Sequence, residues 1–113
     1  AILPYATALQ HLPAYLQQLM MESNGKGVTR DGAVIGHATM PVIFGAAGTC
    51  GQHSFYQQLH QGPRAVSSDF IVFDDAAGED LPESATHQAW LVANALAQAD
   101  ALWFGRQDAA LPP

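Results

Sequence analysis

A chain of 113 residues is long enough for one small domain, and 49% hydrophobic residues supports a packed core rather than a disordered segment. Ten acids against four scattered bases, Lys26, Arg30, Arg64 and Arg106, leave a net charge of -6, which excludes a nucleic-acid binder because phosphate neutralisation needs clustered cations. A lone Cys50 excludes an internal disulfide, no apolar run approaches the roughly 18 residues of a membrane helix, and no basic-then-apolar secretory signal opens the chain, so a soluble cytoplasmic protein is expected.

Ala1-Ile2-Leu3-Pro4-Tyr5 reads as a short buried strand already in progress, without an initiator Met, and Leu111-Pro112-Pro113 brings no closing element; a fragment of a longer protein is expected. Leu9, Leu12, Tyr15, Leu16 and Leu19 fall at helical spacing, and Pro13 suits a first turn, which predicts a regular helix from near Leu12 to Glu22. Ser23-Asn24-Gly25 supplies its stop, with Gly25 expected in the left-handed geometry of a C-terminal cap. Residues 27–39 are glycine-rich around Asp31-Gly32 and flanked by Val28-Thr29 and Val34-Ile35, the pattern of a hairpin.

Pro41-Val42-Ile43-Phe44 is a continuous apolar run ended by Gly45, which predicts a strand buried on both faces of a parallel sheet. Thr49 is placed to cap a following helix over about 51–60, with Phe55, Tyr56 and Leu59 inward and Gly62-Pro63 closing it. Asp69-Phe70-Ile71-Val72-Phe73 is a third apolar strand, residues 74–83 form an acidic loop, and a last helix covers about 84–104, apolar around much of its circumference. This alternation predicts an α/β fold, a layered α-β-α sandwich with a mainly parallel sheet. Three strands are few for such a sheet, so residues 1–113 are expected to be a single partial domain.

Two residues invite a chemical reading. Gln18 and Glu22 are four apart and share a helix face, and Glu22 sits where the helix dipole turns negative, a placement that favours taking up a proton. From spacing alone Glu22 is either a general base or an ordinary exposed carboxylate at a helix end. His53, expected in the first turn of the second helix, is either a neutral proton carrier or a histidine satisfied by local hydrogen bonds. Gly45, Gly48 and Gly51 lack the lysine and hydroxyl residue of a Walker loop, and Cys50, His53 and His60 lack the second cysteine and the four ligands of a structural zinc site. No metal or organic cofactor is expected.

Leu3-Pro4-Tyr5, Tyr15-Leu16-Gln17-Gln18, Met21 to Lys26, Pro41 to Gly45, Gly48-Thr49, Gly51-Gln52-His53, Phe55-Tyr56-Gln57 and His60-Gln61-Gly62 occur in order and register. Asp69-Phe70, Ala93-Asn94 and Leu96-Ala97-Gln98 continue the pattern, so that nearly the whole chain resembles phosphoglucose isomerase. The resemblance implies the large sugar-isomerase domain of a bacterial-type enzyme that interconverts glucose 6-phosphate and fructose 6-phosphate, in glycolysis and gluconeogenesis. It implies that Glu22 shuttles the proton between the first two sugar carbons through a cis-enediol, that His53 assists ring opening, and that Gln18 lines the substrate pocket. It also implies a homodimer in which His53 serves the neighbouring subunit's site.

Ala46, Ala47 and Cys50 depart from the family's Gly-Glu-Pro-Gly-Thr-Asn-Gly-Gln-His, and Leu19-Met20 replaces its Gly-Asp. The family's phosphate-holding Ser/Thr loop, its enediolate-steadying arginine and its C-terminal lysine have no counterpart in these 113 residues, so this polypeptide alone is expected to be inactive. A sugar-phosphate-binding regulatory domain of the same architecture is the alternative, and it has no need of a base at position 22.

Overall fold

Leu3, Pro4 and Tyr5 are the largest fully buried side chains among the described residues, and the core is arranged around them. The computed structural model describes residues 1–73 and 84–105. Its elements, in order, are strand β1 (Ile2–Pro4), a 3-10 turn (Thr7–Leu9), helix α1 (Leu12–Leu16), a π-helical segment (Gln17–Glu22), the short helices α2 (Gly48–Gly51) and α3 (Tyr56–Gln61), strand β2 (Asp69–Ile71) and the long helix α4 (Ser84–Phe104). The fold is α/β with a small parallel sheet.

β1 pairs with β2 in parallel register, Ile2 opposite Asp69, Leu3 opposite Phe70 and Pro4 opposite Ile71. The ladder runs on at both ends, where the Asp69 N–H donates to Ala1 O at 2.8 Å and the Tyr5 N–H to Ile71 O at 2.8 Å. On the other edge of β1 a single parallel bridge joins Ile2 to Gly45, and the Ile2 N–H donates to Phe44 O at 2.9 Å. Residues 41–44 therefore approach the sheet without becoming the doubly buried strand expected of them, and Val42 is 75% exposed. A strand buried on both faces needs cover on each face and a partner on each edge; here β1 supplies one edge alone.

The core is a cluster of Leu3, Tyr5, Tyr56 and Ala95, flanked by Phe55, Leu59, Phe70 and Leu91, so α3 and α4 both pack on β1. Tyr5 and Phe70 stack with ring centroids 6.1 Å apart, and Phe44 meets Phe55 edge-on at 5.1 Å. The inward placement of Phe55, Tyr56 and Leu59 is as their spacing predicts, and α4 spans the expected residues. The hairpin at 27–39 is reduced to one antiparallel bridge, Val28 to Val34, turning at Gly32 with φ 82. The acidic loop expected at 74–83 lies outside the described residues.

Three local expectations are corrected. The helix after Leu12 is regular only to Leu16 and then widens into the π segment, although Pro13 does sit in its first turn. Gly25 does not adopt positive φ; a side chain there would collide with the Met21 carbonyl, to which the Gly25 N–H donates at 2.8 Å, so closeness rather than handedness selects glycine. Thr49 lies inside α2 and does not cap it, the N-cap being Ala47 without a side-chain bond.

The molecule is a slab, 58 × 47 × 20 Å, with a Cα radius of gyration of 17.8 Å where an ordinary domain of this length has about 13 Å. Its accessible surface is 8462 Å², against about 6,000 Å² for a compact monomer of 12.0 kDa. Trp90, Val34 and Trp103 are 67%, 85% and 82% exposed, which is the surface such a shape leaves uncovered. Among the described residues no helix is long and apolar enough to cross a membrane.

Candidate active site

The helix that carries Glu22 is fastened to the segment before the glycine-rich loop by its own polar side chains. Gln17 Nε2 donates to Ile43 O at 3.1 Å and the Ile43 N–H donates to the Met21 sulfur at 3.3 Å, so both backbone polar groups of one residue are taken by the helix. Farther along, Asn24 Nδ2 lies 4.0 Å from the Met40 sulfur, a weak contact. Thr39 then closes the run: the Lys26 N–H donates to Thr39 Oγ1 at 3.2 Å, and that hydroxyl donates to Lys26 O at 3.0 Å.

Gln17, Met21 and Asn24 are spaced four and three apart, which puts them on one helix face. That face is the fastened one. Gln18 and Glu22 each stand one residue farther round, on the neighbouring face, and both are exposed. The π segment contains the pair from end to end, and such widened turns occur mostly as single local features, often at functional sites. Lys26 Nζ donates to the Glu22 backbone carbonyl at 2.7 Å, satisfying an acceptor near the helix end. No partner for that carboxylate occurs among the described residues.

His53 is not where its helical spacing placed it. α2 ends at Gly51, and residues 52–55 form a turn before α3 begins at Tyr56. The His53 N–H donates to Cys50 O at 3.3 Å, so its amide is spoken for rather than being an open amine at a helix start. The Gly51 carbonyl accepts from both the Ser54 N–H at 3.0 Å and the Phe55 N–H at 3.2 Å, which is what interrupts the helix. The result is an exposed imidazole at the outer corner of a tight turn.

Gln18 and Glu22 lie four apart in the one π segment, whereas His53 belongs to a separate corner; no hydrogen bond or ion pair joins it to Glu22 among the described residues. Spacing foretold the shared face of Gln18 and Glu22. It could not show the clamp on Ile43, since that depends on the backbone of a segment 26 residues away in the case of Gln17. Among the described residues no three His, Cys, Asp or Glu side chains gather as metal ligands would.

Two open clefts among the described residues lie elsewhere. One, of about 530 Å³, is bounded by Leu16, Met20, Val42, Phe44, Arg64 and Asp69, and one of about 540 Å³ runs beneath Leu59, Phe70, Leu102 and Trp103. Neither takes in Gln18, Glu22 or His53. Both are walled chiefly by apolar side chains at the sheet edge or under α4, so they mark uncovered packing surface rather than chemistry.

The family model for phosphoglucose isomerase matches residues 1–112. The glucose-6-phosphate isomerase of Deinococcus deserti is 48% identical over an alignment covering 100% of this chain and 23% of that protein. That of Dechloromonas aromatica is 53% identical, covering 94% of this chain and 19% of its own length. The crystal structure of a glucose-6-phosphate isomerase from Chlamydia trachomatis superimposes with a TM-score of 0.76 at 46% identity, over 96% of this chain and 21% of that one. The chain thus spans about a fifth of the length of the relatives it matches. With a match from Ala1 to Pro112, and with β1, the Glu22 helix and the glycine-rich turn in the same order, the chain belongs to the phosphoglucose isomerase family.

Proposed function

We propose that residues 1–113 are part of the large domain of an isomerase that interconverts glucose 6-phosphate and fructose 6-phosphate, and that they supply its base and its ring-opening histidine. The observation that carries this reading is the fastened helix: tying Gln17, Met21 and Asn24 to residues 39–43 leaves Gln18 and Glu22 presented outward on a fixed backbone. Membership of the family supplies the substrate class. Nothing in the fold favours a purely regulatory module, which needs no oriented carboxylate.

In the proposed reaction His53 moves a proton to the ring oxygen as the sugar opens. Glu22 then takes the proton from C2 of the open-chain aldose phosphate as the carbonyl O1 gains a proton, leaving a cis-enediol, and returns it to C1 as O2 gives up its proton and becomes the ketose carbonyl. The electron pair of the broken C–H bond goes into the enediol and comes back to carbon, so no oxidant, metal or cofactor is consumed. Gln18, beside Glu22, lines the substrate pocket. The complete enzyme is a cytoplasmic homodimer of glycolysis and gluconeogenesis in which His53 serves the neighbouring subunit. The 113 residues alone are inactive, lacking the family's phosphate-holding loop, arginine and lysine.

The test is Glu22→Gln in the polypeptide of full family length. Isomerisation and exchange of the C2 hydrogen with solvent both fall by about 10²–10⁴-fold, the range for removing a positioned proton-transfer group. Exchange persisting at the parental rate removes Glu22 as the base.

A further inference from the structure

Beneath the turn that carries His53 lies a pair of buried phenols that the proposed chemistry leaves unused. Tyr5 directly follows β1 and Tyr56 opens α3; they are 1% and 3% exposed, and their hydroxyls meet at 2.9 Å. Each hydroxyl is the other's partner in an otherwise apolar cluster of Leu3, Ala95, Phe55 and Phe70. Burial, then the bond to Tyr5, pushes the Tyr56 hydroxyl far above the usual phenol range, so it stays protonated throughout the range in which the enzyme works.

The two rings are the floor on which α2 rests. A Cβ at Gly48 would stand 2.3 Å from Tyr5 Cζ, and one at Gly51 would stand 2.7 Å from Tyr56 Cε1 and 3.2 Å from Phe55 Cζ. Backbone therefore lies directly on ring at both ends of α2, with no side chain between to absorb a change. From Gly51 and Cys50 the turn is hung by the bonds to Ser54, Phe55 and His53. A tilt of either ring passes into the two glycines and from them into His53. The bond between the hydroxyls fixes where the far ends of the two rings sit: plain apolar rings of the same size would fill the space but could slide past one another.

We propose that Tyr5 and Tyr56 are positioning residues for His53, their hydroxyl pair fixing the position of the two rings that sets the height of the Gly48–Gly51 turn. This rests on the reading of His53 as the ring-opening group. Misplacing a reacting group by about 1 Å can cost on the order of 100-fold in rate, so the expected effect is kinetic and confined to the step that His53 serves.

The experiment is a double-mutant cycle on Tyr5→Phe and Tyr56→Phe in the family-length polypeptide, with three readouts: thermal unfolding, interconversion of the closed-ring anomers of the substrate by exchange NMR, and C2-hydrogen exchange from the open-chain form. Each single variant strands one buried hydroxyl and lowers the melting temperature; the double variant strands none and regains most of it. Anomer interconversion nevertheless stays ten- to a hundredfold down in the double variant, while C2 exchange holds within twofold. A folded double variant with parental anomer interconversion overturns the positioning role, as does an equal loss of both rates. His53→Gln separates the two ideas: if it leaves anomer interconversion unchanged, the reading of His53 itself falls. Should the double variant not fold, Gly51→Ala reads the same contact from the backbone side, and the same split between the two rates is required of it.

Discussion

Around Tyr5 the chain packs as a finished protein does, and along residues 41–44 and the outer side of α4 it does not. Tyr5 has β2 on one side, α2 above it and Tyr56 against its hydroxyl, all within these 113 residues. Val42, three residues from the strand bridge at Gly45, is 75% exposed, and Trp103, on the helix that buries Ala95, is 82% exposed. Both regions are equally apolar in sequence. What differs is whether the partner of each side chain belongs to the same stretch of chain, and for Tyr5 it does. The proposed catalytic groups sit at the seam: the Glu22 helix is fastened to the loose segment 39–43, and the His53 turn rests on the tight corner.

The contrast breaks most completely with Tyr5→Ala. Removing a large buried aromatic costs about 3–5 kcal/mol, and Tyr56 is left with an unsatisfied buried hydroxyl that adds about 1–3 kcal/mol. A domain of this size holds on the order of 5–15 kcal/mol in all, and a slab with so small a core stands at the lower end. The expected outcome is loss of the cooperative transition in thermal melting followed by circular dichroism. A variant that still melts cooperatively would place the stabilising contacts somewhere other than this corner.

High pH loosens the same corner more gently. The folded state holds the Tyr56 proton more tightly than the unfolded state does, because burial and the bond to Tyr5 favour the neutral phenol. Above the unfolded phenol value of about 10, the unfolded chain therefore binds fewer protons than the folded one, and stability falls as pH rises by up to about 1.4 kcal/mol per pH unit. Below about pH 10 the group contributes full stability and no pH dependence. Denaturant midpoints between pH 8 and 11 check this, and Tyr56→Phe flattens the alkaline limb. A limb of the same slope in that variant assigns the effect to another group.

What could be read from sequence divides along the same seam. α4 was legible over its whole length and β1 and β2 in outline, since each satisfies its backbone either internally or with a strand in the same chain. The turn at Gly32 was legible because glycine between apolar pairs marks a hairpin loop and supplies its positive φ, although Asp31 does not share it. The strand expected at 41–44 failed because among the described residues only β1 offers it an edge. The π segment escaped notice since Leu12, Leu16 and Leu19 fit an ordinary helix equally well. Gln18 and Glu22 could be paired by spacing alone, whereas the placement of His53 turned on two amides sharing the Gly51 carbonyl, a choice no periodicity records.

Trp103→Ser is the mildest test and the one that measures the loose side directly. With 82% of the side chain already in water, its removal takes little from the core of the 113-residue chain, and the denaturant midpoint should move by less than the equivalent of about 0.5 kcal/mol. Light scattering should fall, because Trp103 and its neighbour Phe104, 61% exposed, form an apolar patch at the end of α4. In the family-length polypeptide the same substitution should cost about 3–5 kcal/mol if further chain buries that indole. The difference between the two measurements is the packing that Trp103 gains outside this stretch. Equal and small costs in both would leave Trp103 a true surface residue, while a large cost in the short chain alone would show its patch covered by self-association.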